Sequence, residues 1–135
     1  MKKVLFLCIG NSCRSQMAEG FARKYGADVM EPMSAGLAPA AIVQPLTRKV
    51  MEAKNIRLEA QFPKDLAAID TSGLDLIVNM SGTRIPGRLA AELRDWDVDD
   101  PIGAKEDVYV AVRDRIEMLV MHLILELRRG SRRRA

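Results

Sequence analysis

Residues 3–15 read Lys3-Val4-Leu5-Phe6-Leu7-Cys8-Ile9-Gly10-Asn11-Ser12-Cys13-Arg14-Ser15. Residues 3–7 form a short apolar run of the kind that is buried on both faces of a parallel sheet. Gly10 and Asn11 break the run, and beyond Ser15 the period changes. Met17, Phe21 and Tyr25 recur every four residues with Ala18 and Ala22 beside them, the stripe of a core-facing helix. Buried strand, tight loop and helix, in that order, is the opening unit of an α/β domain.

Further along, Gly26 stands where a helix end favours a left-handed residue. Residues 29–33 read as a second strand ended by Ser34-Ala35-Gly36. Pro45 suits a first helical position, and Leu46 and Val50 predict a helix to about Lys54 with Asn55 as its stop. Residues 62–69 predict one short helix, 74–80 a third strand, 86–93 a helix and 95–98 a fourth short strand. Residues 106–129 carry Val112, Ile116, Leu119, Val120, Leu123 and Leu127, a long amphipathic helix expected to pack on the sheet. The expected fold is α/β: a four-stranded parallel sheet, doubly wound and flanked by helices, in one domain over residues 1–127. Ligands of such sheets bind beyond the carboxyl ends of the strands, so the loop after the first strand is the place for a site.

The length of 135 residues suits one domain, and 29% charged residues exclude a disordered chain. The formal charge of +3 misleads. Residues 128–135 hold five arginines and no acid, and without those arginines the chain carries −2. A nucleic-acid interface would spread its cations over a folded face among aromatics; a solvated basic tail at 128–135 is the expectation instead. The apolar stretch after Lys2-Lys3 is too short for a secretory signal, and no run is long enough to span a membrane. Two cysteines five residues apart make neither a disulfide framework nor a zinc site, so free thiols and a cytoplasmic setting are expected. His122, the one histidine, lies far along the chain from the loop and reads as a packing or surface residue.

The spacing from Cys8 to Arg14 carries chemistry. A five-residue loop around a tetrahedral anion can turn successive backbone N–H groups inward, and the following helix adds the positive end of its dipole. Gly10 and Asn11 tolerate the left-handed backbone such a wrap demands. Arg14 can take two oxygens of the anion with its planar fork. The same field favours a thiolate at Cys8, and Ser15 can donate to that sulfur. The candidate nucleophile is therefore Cys8 and the oxyanion ligands are Ile9, Gly10, Asn11, Ser12, Cys13, Arg14 and Ser15. Cys13 is either a redox partner that protects Cys8 as a disulfide or a small buried hydrophobe.

The run from Cys8 to Glu19 resembles the signature of the low-molecular-weight protein tyrosine phosphatase family and the thioredoxin-coupled arsenate reductases that share its fold. The likeness extends through Ser34-Ala35-Gly36, residues 74–80 and Asp99-Asp100-Pro101 to the last helix. It implies no metal or organic cofactor. It also implies that the general acid is the aspartate before a proline in a late loop, which falls on Asp100; Asp99 is the neighbouring candidate, and proline stiffens the residue just before it. The reductase branch carries further relay cysteines at and beyond the third strand. Residues 78–88 contain none, with Met80 near the place of the first. The phosphatases place aromatics after the Asp-Pro, where Ile102 and Gly103 stand here, while Gln16 and residues 96–101 look more like the reductases.

Cys8, Arg14 and Asp100 suffice to hydrolyse a phosphomonoester through a cysteinyl-phosphate, on a phosphorylated small molecule or a phosphotyrosine protein, and that is the first expectation. The alternative is arsenate reduction with an external thiol of the glutathione, mycothiol or glutaredoxin type. A non-catalytic phosphate-binding module is the third. No nucleic-acid or membrane partner is expected, and the chain should be a monomer or weak homodimer.

Overall fold

The computed structural model describes residues 1–134. Four strands, β1 (Lys2–Cys8), β2 (Met30–Gly36), β3 (Leu76–Asn79) and β4 (Glu92–Asp95), form one parallel sheet in the order β2-β1-β3-β4. Three α-helices, α1 (Arg14–Tyr25), α2 (Pro45–Glu52) and α3 (Glu106–Arg134), accompany it with two 3₁₀ turns at Leu66–Ala68 and Thr71–Gly73. The chain leaves β1 toward β2 on one side, and β3 with β4 fill the other. The carboxyl end of β1 is thus the switch point where α/β sheets open a crevice.

Alternation along β1 divides the core. Val4, Phe6 and Cys8 face the helices with Met17, Phe21, Val112, Ile116 and Val120. Leu5 and Leu7 face the other way with Ala35 and Ile77, under Leu66, Ile69 and Leu89. The three α-helices therefore share one face, and the 3₁₀ turns with the long loops close the second. Val4, Leu5, Phe6 and Leu7 of β1 are fully buried, each contributing roughly 1.5–3 kcal/mol of transfer free energy.

The local reading was displaced where long-range contacts act. β2 runs through Ser34-Ala35-Gly36, because Gly36 pairs with Cys8. Residues 62–69 shrink to the turn Leu66–Ala68, capped by the Asp65 carboxylate, which accepts from Ala67 N at 2.9 Å. Residues 86–93 form no helix: Gly87 has φ +85°, a left-handed conformation that does not propagate a helix. The fourth strand comes earlier than expected, with Glu92 to Asp95 pairing residue for residue with Leu76 to Asn79. As an edge strand it is mostly exposed, so its sequence has no apolar alternation to read. Gly26 is not left-handed (φ −125°); it is needed because a Cβ there would lie 2.8 Å from the Ile124 side chain of α3.

The basic stretch at 128–135 is not a tail over its described part, since α3 continues to Arg134; Ala135 lies outside the described residues. Arg128 explains the continuation. Its Nε and Nη2 donate to the Asp28 carboxylate, both at 2.9 Å, and Nη2 also donates to the Tyr25 carbonyl at 2.8 Å. Arginine is besides a good helix former. Among the described residues no helix is long and apolar enough to cross a membrane.

Candidate active site

The loop between β1 and α1 has its carbonyls turned outward and occupied. The carbonyls of Cys8, Ile9, Gly10 and Ser12 accept from the backbone N–H groups of Leu37, Ala38, Ala40 and Gln44. The Asn11 carbonyl accepts from Gln16 Nε2 at 2.9 Å. Among the described residues, the N–H groups of residues 9–13 donate to no protein acceptor. Five outward carbonyls and inward amides are the anion nest expected from the spacing.

Asn11 makes the turn possible with φ +49°. Its side chain is clamped at both ends, Oδ1 accepting from Lys64 N at 2.9 Å and Nδ2 donating to Ser15 Oγ at 2.7 Å. Ser15 Oγ lies 2.8 Å from Cys8 Sγ. This hydroxyl accepts from Asn11 and keeps its own proton, which it can donate to a thiolate at Cys8 and so stabilise negative charge there.

Gly36, paired with Cys8, supports the loop from below. A Cβ at this position would stand 2.6 Å from the Ile9 carbonyl oxygen and 2.9 Å from Asn11 N, and backbone atoms cannot step aside cheaply. Gly36→Ala should destabilise the fold by about 1–3 kcal/mol, as overpacking does. It should also weaken inorganic phosphate binding at least tenfold. Thermal melting and a phosphate titration check both, and a variant with native phosphate affinity would show that the loop tolerates the shift.

Arg14 is 5% exposed and anchored at one end of its guanidinium. Nη1 donates to the carbonyls of Met80 and Val98, which leaves the Nε–Nη2 edge, the bidentate edge, without a hydrogen bond to protein among the described residues. Nη2 stands 3.8 Å from Asp100 Oδ2. Asp100 Oδ1 accepts from Ile102 N at 3.1 Å, and the carboxylate is about half exposed, so it faces both the arginine and solvent. Asp99 is exposed and makes no such contact. The structure thus brings together Cys8, the loop 9–13, Arg14, Ser15 and Asp100.

Cys13 is 1% exposed. Burial pushes its thiol up to about 12, against a smaller opposing pull from the Thr47 hydroxyl. Cys8 and Cys13 are both free thiols, and a thiol so hard to ionise is a poor partner for exchange; of the two readings, the small buried hydrophobe fits this environment. His122 is exposed on α3.

Three supports escaped the sequence reading. Gln61, 8% exposed, donates to Gln16 Oε1 at 2.7 Å and so orients the amide that holds the Asn11 carbonyl. Lys64 acts through its backbone N–H. Tyr109 is buried beside Cys13 and Asp100; burial first, then the charges of those two groups, raises its phenol. No spacing links residues 61, 64 and 109 to the loop. Gly36 could have been suspected from Ser34-Ala35-Gly36, but only its contact distances reveal the reason.

The family described as low molecular weight phosphotyrosine protein phosphatase matches residues 3–133. The glutaredoxin arsenate reductase of Synechocystis sp. is 34% identical over 131 residues, covering 94% of this chain and 99% of that protein. The arsenate reductase of Shouchella clausii is 40% identical over 126 residues, covering 85% and 89%. Among solved structures, an arsenate reductase in the phosphate binding state superposes with a TM-score of 0.88 at 33% identity, covering 94% of this chain and 99% of that one.

Proposed function

Because the chain belongs to the low molecular weight phosphotyrosine protein phosphatase family, we propose that it uses the family's oxyanion loop as an arsenate reductase fed by an external thiol. The observation that carries the reading is the ring of inward amides over Cys8, completed by the open edge of Arg14. The choice of arsenate over a phosphate ester, the reverse of the order drawn from sequence, rests on the similarity to proteins named arsenate reductases along nearly the whole chain. It is supported by Ile102 and Gly103 beyond Pro101, which offer no ring to hold a phenyl group.

Cys8 attacks arsenic while the amides and Arg14 hold the remaining oxygens, and Asp100 protonates the oxygen that departs as water. Cys8 is 3% exposed with Ser15 against its sulfur, so the side of the sulfur opposite arsenic is closed to a second reactant. An incoming thiolate therefore attacks arsenic, and the electron pair of the S–As bond returns to Cys8. A second thiolate attacks the sulfur of the released thiol–arsenate; that S–As pair stays on arsenic, which becomes As(III), and the two thiols leave as a disulfide. The sum is one arsenate and two thiols giving one arsenite, one disulfide and one water. A phosphatase of this fold needs the same first step and then water where the thiol stands here, so one site serves either chemistry and the acceptor decides.

Arsenite release from arsenate in the presence of glutathione, mycothiol or glutaredoxin, side by side with hydrolysis of an aryl phosphate, tests the reading. Thiol-dependent arsenite formation is the expected result. Rapid aryl phosphate hydrolysis with no arsenite from any thiol would return the assignment to phosphatase, and full turnover on thioredoxin alone would contradict the missing relay. Asp100→Asn should lower kcat about 10²-fold or more while changing KM for arsenate only a few-fold. Asp99→Asn should leave both within about threefold, and a loss carried by Asp99 instead would move the general acid to that residue.

A further inference from the structure

Between β3 and β4 the chain does something that a simple connection does not require. Asn79 closes a tight turn, its Oδ1 accepting from Ser81 N at 3.0 Å and from Ser81 Oγ at 2.6 Å and its Nδ2 donating to the Thr83 carbonyl at 2.8 Å. Gly82 and Gly87 have φ of +76° and +85°, and Ile85 is buried in the core of the second face. The loop so anchored stands off from the segment after β4, and a cleft of about 1050 Å³ opens between them. That is the size class of small-molecule sites.

The floor of the cleft includes Arg14 and Met80. Leu7 pairs with Asn79 across the sheet, and Met80 N donates to the Leu7 carbonyl at 2.7 Å. Cys8 itself does not line the cleft; the cleft meets the Cys8 site at Arg14, which borders both. Its walls are oppositely charged: Arg84 on the loop, Asp95 and Asp97 on the other side. Among the described residues none of these three joins an ion pair. Charges of opposite sign that share a cleft without meeting suit a ligand that brings both signs itself. Trp96, its ring packed 5.9 Å from Phe6, adds an apolar wall between them.

We propose that this cleft binds the thiol that takes arsenic from Cys8, and that the thiol is a small zwitterionic peptide of the glutathione class. One of its two carboxylates meets Arg84 while the other stays in solvent, its ammonium meets Asp95 and Asp97, and its methylenes lie on Trp96 with the sulfur toward Met80 and Arg14. The assignment rests on the arsenate reading of the Cys8 site. It gives residues 78–88, which hold no relay cysteine, a different part in the same electron transfer: they hold an outside thiol where an inside one is absent.

Trp96 is the chain's one tryptophan, so its fluorescence reports the cleft without any turnover. Titration of the full chain with S-methylglutathione, whose capped sulfur cannot react, should change that fluorescence saturably. Arg84→Ala should weaken binding at least tenfold, and Arg84→Lys should stay within about threefold of the native chain. In the arsenate assay Arg84→Ala should raise KM for glutathione at least tenfold with kcat little changed. Arg84 is exposed, so the variant should melt with the native protein. No saturable signal, equal binding by Arg84→Ala, or 2-mercaptoethanol matching glutathione in kcat/KM would each overturn the proposal. Arg84-dependent binding in a protein that makes no arsenite would uphold the cleft and sink the arsenate reading instead.

Discussion

Cys8→Ser should abolish arsenite formation, lowering kcat by about 10⁴-fold or more, while the protein still binds inorganic phosphate. The size of the loss follows from what sulfur does in the proposed reaction: it forms the bond to arsenic, and a serine hydroxyl is neither acidic nor nucleophilic enough to replace it. Binding survives because the anion is held by the amides of residues 9–13 and by Arg14, none of which the substitution touches. Arsenite release and a phosphate titration on the same preparation separate the two effects. Full turnover in the variant would remove the nucleophile from the proposal. Cys13→Ala serves as the control, since a buried thiol pushed up to about 12 has no thiolate to contribute near neutrality.

Arg14→Lys should cost less but still heavily, for two reasons that can be measured apart. Lysine has one ammonium where the guanidinium has a free Nε–Nη2 edge, so the bidentate grip on the oxyanion is lost and kcat/KM should fall by roughly 10²–10³, the usual effect of removing one such donor. Lysine also cannot donate to both Met80 and Val98 carbonyls while reaching the anion. A buried carbonyl left without a donor costs about 1–3 kcal/mol, so the melting temperature should drop as well. If catalysis falls and the melt does not move, the carbonyl anchor is dispensable. If both stay native, Arg14 has been given the wrong task.

These two effects sit on residues that were legible before any coordinates, and the reason is that their chemistry is local. Cys8 and Arg14 belong to one strand–loop–helix unit, where spacing within a window fixes which backbone groups converge. Asp100 was legible only through family resemblance and the proline behind it. The structure adds the contact with Arg14 that distinguishes it from Asp99. The weakest reading was at β4, where an exposed edge strand carries no apolar period, and at residues 128–134, where the tether to Asp28 reaches back 100 residues. Cys13 was equally ambiguous, because its neighbours Thr47, Tyr109 and Asp100 come from three other parts of the chain.

The amino-acid sequence alone determined the parallel α/β class and pointed to the loop and the cysteine proposed here as oxyanion site and nucleophile, since periodicity and five-residue spacing are properties of contiguous chain. Tertiary structure alone decided which way Arg14 presents its guanidinium, because the two carbonyls that hold it lie 66 and 84 residues away. It also decided why Gly36 carries no side chain and where a cleft opens beside Arg14. Such features depend on which backbone atoms are packed against one another, and no window of sequence contains both partners of those contacts.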